Sequence, residues 1–221
     1  MRRIIKTSRQ PEWFHEWKRN HRSRTGRTAA YAAFRSDHVR YLQLKDTLIS
    51  EQHFLCCYCC NRIHESVSHI EHFIPQSIDP SKQLDYHNMF ASCNGYVKDI
   101  STVNEESCGH RKKDWYDRNF IISPTDPECE EIFEFFPNGS IQPHDEDSKA
   151  SNMIEHLGLN SYALRKAREA AIDTAYHNIG FYINNITQGA LNAEIEFNNI
   201  PNPNGELPPF CDAVSYVLKN L

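Results

Sequence analysis

Ser68-His69-Ile70-Glu71-His72-Phe73-Ile74-Pro75 sets an acid beside an imidazole in an apolar frame that stops at a proline. Alternation and β-branched residues over 67–74 predict a strand. A second short strand is expected at Asn88-Met89-Phe90-Ala91-Ser92, after a polar loop at 75–87 that holds Pro75, Pro80 and Asp85. Neighbours on a strand point to opposite faces. Glu71 and His72 therefore diverge, so that one can bind a cation while the other faces water. His69 lies two residues before Glu71, on the Glu71 face. Cys56-Cys57-Tyr58-Cys59-Cys60 stands just upstream, and Cys93, Cys108 and His110 follow downstream.

The cysteines frame this stretch. Six of the eight lie between 56 and 108. Without a signal peptide such clustering favours a metal over a disulfide framework. Cys56-x-x-Cys59 can hold one tetrahedral zinc from a tight turn. Cys57-x-x-Cys60 has the same spacing, so two registers are open. The first is preferred because it sets Tyr58 in a Cys-x-Tyr-Cys pattern. Cys93 and Cys108 are the natural second pair, provided that residues 94–107 fold outward. Four thiolates with no open position make a zinc structural.

The remaining sequence is that of a globular protein of 221 residues with net charge −5. No apolar run approaches the length of a membrane span, and the expected location is cytoplasmic. Charge is unevenly spread. Residues 1–45 carry twelve Lys/Arg against three Asp/Glu, whereas 123–221 carry five against fifteen. A basic front suits a polyanion, and an acidic rear suits a protein partner or solvent. Three regions are expected: a basic helical segment at 1–55, a core at 56–122, and an acidic, mainly helical region at 123–221 with a β-hairpin. Pro11 to Lys18 reads as a short helix whose Trp13 and Trp17 share a core-facing side. His21 to Arg27 reads as a basic loop, and Thr28 as the cap of a helix running to about Ser50. Cys108 to Asn119 has helical character. Asn138-Gly139 between apolar runs signals the hairpin. Ser161 caps a long helix with Leu164, Ala171, Ile172, Ala175, Ile179, Ile183 and Ile186 on its buried side. A final helix is expected from Asp212 to Leu221.

An imidazole beside a carboxylate, with a further imidazole at His110, suits hydrolysis of a phosphodiester. That reaction needs an activated water and a counter-charge for the phosphate. The ordered set of Cys-x-Tyr-Cys, Ile70 to Pro75, Asn88 and Cys108-Gly109-His110-Arg111-Lys112 resembles the HNH endonucleases over roughly residues 56–118. The resemblance implies an α+β protein, mostly α, with a small ββα-metal core stapled by a four-cysteine zinc site at Cys56, Cys59, Cys93 and Cys108. It implies His72 as general base, and Glu71 and His110 as ligands of Mg2+ or another divalent cation. Asn88 would brace the loop between the strands, while Arg111, Lys112 and Lys113 would meet phosphates. His69 and Asp114 are left as candidates without a settled role.

A narrower resemblance takes in most of the chain. It rests on the basic helical front, the Ser68–Pro75 run, Ser92-Cys93-Asn94-Gly95, the Cys108–Lys112 stretch and the helical rear. It is to PtuB, the HNH subunit of Septu-type anti-phage defence systems, some of which accompany retrons. It implies a PtuA-like ATPase as partner and, in retron versions, a reverse transcriptase with its RNA–DNA hybrid, besides nucleic acid itself. Two other functions fit the same residues: a zinc-dependent nucleic-acid-binding or assembly module with a degenerate site, and a stand-alone restriction-type nuclease.

Overall fold

In the computed structural model, which describes residues 1–7, 9–25, 30–95 and 105–221, the decisive stretch is a strand, β1 (Ser68–His72). It pairs antiparallel with β2 (Met89–Cys93), Ser68 opposite Cys93 and His72 opposite Met89. All five residues of β2 are buried, so the small sheet is covered on both faces. One cover is helix α3 (His38–Glu51), whose Leu44, Leu48 and Ile49 are buried. The free edge of β2 is closed by a side chain. The Gln52 amide donates to Ala91 O at 2.8 Å and accepts from Ala91 N at 2.7 Å, imitating a strand neighbour. That satisfies backbone groups which a buried edge would otherwise leave unpaired.

The front differs from expectation in two places. Helix α1 (Glu12–Thr25) continues past Lys18, so that residues 21–25 are helical and not loop. The helix expected up to Ser50 is broken at Asp37 into α2 (Tyr31–Ser36) and α3. Asp37 leaves helical geometry and its carboxylate accepts from Arg40 N at 3.3 Å, capping α3. The same carboxylate accepts from Trp17 Nε1 at 2.8 Å, so the break is tied to α1. Phe14 and Trp17 meet Phe34 edge-on at 5.0 Å, which makes Trp17 a core residue as expected. Thr28, the expected cap, lies outside the described residues.

The helix expected from Cys108 to Asn119 is a short α4 (Cys108–Lys112), ended by Lys113 at φ 49°. The hairpin is present as β3 (Phe133–Phe135) and β4 (Ile141–Pro143), Phe135 opposite Ile141. Helix α5 (Ser148–His156) follows, capped by Asp147. Helix α6 (Tyr162–Asn178) starts on the Ser161 cap as expected but stops short, because Gly180 turns at φ 76°. Ile183 is 75% exposed and Ile186 is exposed too, so neither belongs to the buried stripe. Helices α7 (Gln188–Phe197) and α8 (Cys211–Lys219) complete the chain. One cluster of buried side chains draws on all three regions, from Phe14 through Phe90 to Val214. No helix among the described residues is long and apolar enough to cross a membrane.

The hairpin is pinned to α6 at one glycine. Gly139 sits at φ 73°, and a Cβ there would lie 2.0 Å from Arg165 O. The buried guanidinium of Arg168 donates to Gly139 O and, at 3.0 Å, to Leu159 O. Gly139→Ala should therefore lower stability by about 2 kcal/mol or more, since both the positive φ and the contact are incompatible with a methyl. Chemical denaturation checks this, and an unchanged midpoint would refute it.

Candidate metal centre and active-site cluster

Cys56 and Cys59 come from the turn after α3, Cys93 from the end of β2 and Cys108 from the start of α4. Their four sulfurs lie within 4.8 Å of one another and all four residues are buried. Cys59 Sγ and Cys93 Sγ are 3.9 Å apart, close to the separation of two thiolates at about 2.3 Å from a shared tetrahedral zinc. Burial alone would raise the Cys56 thiol. Hydrogen bonds from Cys108, Cys57, Cys59 and Cys93 outweigh it and hold Cys56 well below its usual value. Cys59 and Cys108 are pushed up in turn, so the low thiol is one of the four. It is the convergence of four sulfurs that suits a thiophilic metal. Cys60 points instead into a separate apolar cluster with Leu55, Leu207 and Cys211, and Cys57 lies outside the group of mutually close sulfurs. The geometry therefore selects the Cys56/Cys59 register. Most of the segment between the second pair, 96–104, which was expected to fold outward, lies outside the described residues; its two ends are held by the core. Asn94 N donates to Val67 O at 3.0 Å, and Ser107 Oγ donates to Gly95 O at 3.1 Å.

Strand alternation sends His69 and Glu71 toward α4. His69 Nε2 stands 3.5 Å from Glu71 Oε2, and the His69 and His110 rings are 4.9 Å apart. Two ligands at about 2.1 Å from one cation, at right angles, lie about 3 Å apart. One carboxylate and two imidazoles therefore fit a divalent ion with water completing the shell. One further observation supports that fit. Gly109 keeps the space open: a Cβ there would lie 2.6 Å from both Glu71 Oε2 and His69 Nε2.

Glu71 is buried and heavily partnered. Tyr58 OH donates to Oε1 at 3.1 Å and Lys112 Nζ lies 2.9 Å from the same oxygen. Burial would raise its pKa, but the His69 hydrogen bond and the Lys112 charge outweigh that and hold it below the usual carboxylate range. Lys112 is 1% exposed and also donates to His72 O at 3.1 Å. It is a counter-ion inside the protein and not the phosphate contact expected of it. Arg111 and Lys113, its neighbours, are exposed. Asp114 is exposed beyond the end of α4.

His72 faces the other way, as neighbouring strand residues must, but it is only 8% exposed and does not stand open to water. Its Nε2 is 3.0 Å from Gln83 O. A carbonyl only accepts, so Nε2 carries the proton and Nδ1 keeps its lone pair. Gln76 Nε2 donates to Nδ1 at 3.3 Å, and Tyr31 packs edge-on at 4.6 Å. Burial lowers the His72 pKa, so the ring is neutral near pH 7. Asn88 braces the inter-strand loop. Its Oδ1 accepts from Ile74 N at 2.8 Å, and its Nδ2 donates to Ile74 O at 3.0 Å and Lys82 O at 3.3 Å.

Four residues of this cluster escaped the sequence reading: Tyr58, Gln76, Gln83 and Lys112 in its buried role. For Lys112 a signal existed. It lies three residues after Gly109, on the same face of one helical turn, and that face of α4 is the buried one.

Together these elements define a small ββα core, two antiparallel strands and a short helix, stapled by four cysteines and carrying a Glu/His cluster. No family model matches the chain. It is 29% identical over 138 residues to a protein of Vibrio cholerae serotype O1 biovar El Tor named "Retron Vc95 putative HNH endonuclease". The match covers 59% of this chain and 63% of that relative's length.

Proposed function

We propose that this chain is a metal-dependent HNH-type endonuclease that hydrolyses phosphodiester bonds in nucleic acid. The carrying observation is the buried Glu71 carboxylate, flanked by His69 and His110 across the gap that Gly109 leaves open. A divalent cation held there, Mg2+ or a similar ion, would supply counter-charge for the scissile phosphate and the leaving oxygen. His69, on the face of Glu71, acts as a ligand alongside His110. His72 is the general base. Gln83 O fixes its tautomer, and Nδ1, on which Gln76 rests, is the nitrogen that would take a proton from water once Gln76 gives way to it. Asn88 holds the loop against which that imidazole rests. The four-cysteine cluster binds zinc and serves the fold.

The name of the Vibrio cholerae relative supports a retron setting for this activity. Resemblance to PtuB extends it to an effector subunit of an anti-phage complex, with a PtuA-like ATPase and a retron reverse transcriptase with its RNA–DNA hybrid as partners. The acidic rear offers surface for such a subunit.

The test is incubation of the zinc-loaded protein with plasmid DNA and with cellular RNA, with and without added Mg2+. Cleavage should require the ion. His72→Ala should lower the rate by about 10²- to 10⁴-fold, the usual contribution of a positioned base, while zinc content and melting temperature stay unchanged. Glu71→Gln should lose Mg2+ dependence together with activity. A His72→Ala variant that cuts normally removes the base from this reading. A wild-type protein that binds nucleic acid without cutting it would establish the binding-module alternative.

A further inference from the structure

A cationic groove runs from α1 to the edge of the proposed active site. Lys18, Arg19 and Arg22 recur at i, i+1 and i+4 on one side of α1 and form one wall. The turn after Asp79 forms the other, with Lys82, Gln83 and Asp85. The cleft between them has a volume of about 720 Å³. Lys18 Nζ spans it by donating to Leu84 O at 3.0 Å, which fixes the walls relative to each other. Arg19 and Arg22 are exposed. Arg19 has a distant acidic neighbour, Glu16 at 3.8 Å, and Lys82 pairs with Asp85 at 2.9 Å while still 42% exposed. Four cations thus face one carboxylate, in a protein whose net charge is −5.

The groove is built into the site, not merely near it. Gln83, in its wall, accepts His72 Nε2–H at its backbone carbonyl and Tyr31 N–H at its side chain, at 2.9 Å. The carbonyl of Lys82 is held by Asn88. A ligand in the groove therefore rests on the segment that orients His72.

We propose that this groove binds the phosphodiester backbone of a nucleic-acid strand next to the scissile bond, so that α1, outside the ββα core, sets substrate affinity. A backbone of evenly spaced negative charges matches cations repeated along a helix, and an overall anionic protein repels nucleic acid elsewhere. This inference rests on the nuclease reading for its position beside His72, but its test does not need cleavage.

The test is fluorescence anisotropy of labelled single-stranded and duplex DNA and of RNA, with zinc-loaded protein and no added Mg2+, over a series of salt concentrations. Arg19→Glu with Arg22→Glu should weaken binding at least about tenfold near physiological salt and flatten the log Kd against log[salt] slope by about two. Arg19→Gln with Arg22→Gln should show the same change in slope with a smaller loss. Both positions are exposed, so melting temperature should hold. Lys149→Glu with Lys166→Glu, outside the groove, should leave affinity within about twofold. The DNA and RNA arms show which backbone the groove takes. Unchanged affinity and slope in the α1 variants, or no binding of either nucleic acid by the wild type, overturns the proposal. Charge-dependent binding without Mg2+-dependent cutting leaves the groove standing and removes the nuclease reading. Cutting with an unaffected slope does the reverse.

Discussion

Cys108→Ser will yield a zinc-free protein that is largely unfolded or insoluble. The wild type will carry about one equivalent of zinc, as a single four-thiolate site requires. The size of the effect follows from what the four sulfurs join. Cys56 and Cys59 hold the turn after α3, Cys93 ends β2, and Cys108 opens α4 with its backbone N–H on Leu157 O at 2.8 Å. Without the metal, the turn after α3, β2 and α4 lose their cross-link, and the two-stranded sheet keeps only its packing against α3 and the core. Structural zinc binding contributes about 10–16 kcal/mol in small zinc-dependent modules, against a total stability of about 5–15 kcal/mol for an ordinary domain. Cys57→Ala and Cys60→Ala should keep full zinc content, because neither sulfur belongs to the group of four that converges. Metal analysis by mass spectrometry, with circular dichroism, checks all three. A soluble, folded Cys108→Ser protein without zinc, melting where the wild type melts, would dispose of the structural metal.

The four-cysteine frame was legible in the sequence because thiol spacing has few structural solutions. Cys56-x-x-Cys59 with two later cysteines leaves only a register and a loop to settle. The register was decided by packing, since Cys60 finds Leu55, Leu207 and Cys211, the last two from the far end of the chain. Strand β1 was legible because its alternation is short and bounded by Pro75. The same alternation put His69 beside Glu71, but a histidine's role depends on what faces it across space, and His110 comes from another element. Failures concentrate where a tertiary partner overrides local pattern. Trp17 Nε1 on Asp37 breaks what reads as one helix into two. Gly180 ends α6 while the apolar period runs on to Ile183 and Ile186. Lys112 was misjudged for the same reason: a lysine among basic neighbours reads as surface until the carboxylate beneath it is known.

That lysine makes the second large prediction. Lys112→Met should cost about 3–5 kcal/mol of stability, the range for stranding one member of a buried ion pair. The aliphatic stem is replaced almost in kind, so the loss is chiefly that of the ammonium. Glu71 would keep Tyr58 OH and His69 but lose the one full positive charge at 2.9 Å, and His72 O would lose its donor. Lys112→Met with Glu71→Gln should recover much of the deficit, because a neutral amide needs no buried counter-charge. A purely steric role for Lys112 predicts no such recovery. The pair also bears on the cation that Glu71 is proposed to hold. In the wild type the ammonium already neutralises one carboxylate oxygen, Oε1, while Oε2 faces His69. Removing the ammonium leaves the whole charge for the ion, so Mg2+ should raise the melting temperature of Lys112→Met more than that of the wild type, by the mass-action term of a tighter site. If Mg2+ shifted both proteins equally, Glu71 would be a structural anion and the cation would have to sit elsewhere. A larger shift in the variant, abolished by adding Glu71→Gln, would locate the cation on that carboxylate without any measurement of cleavage.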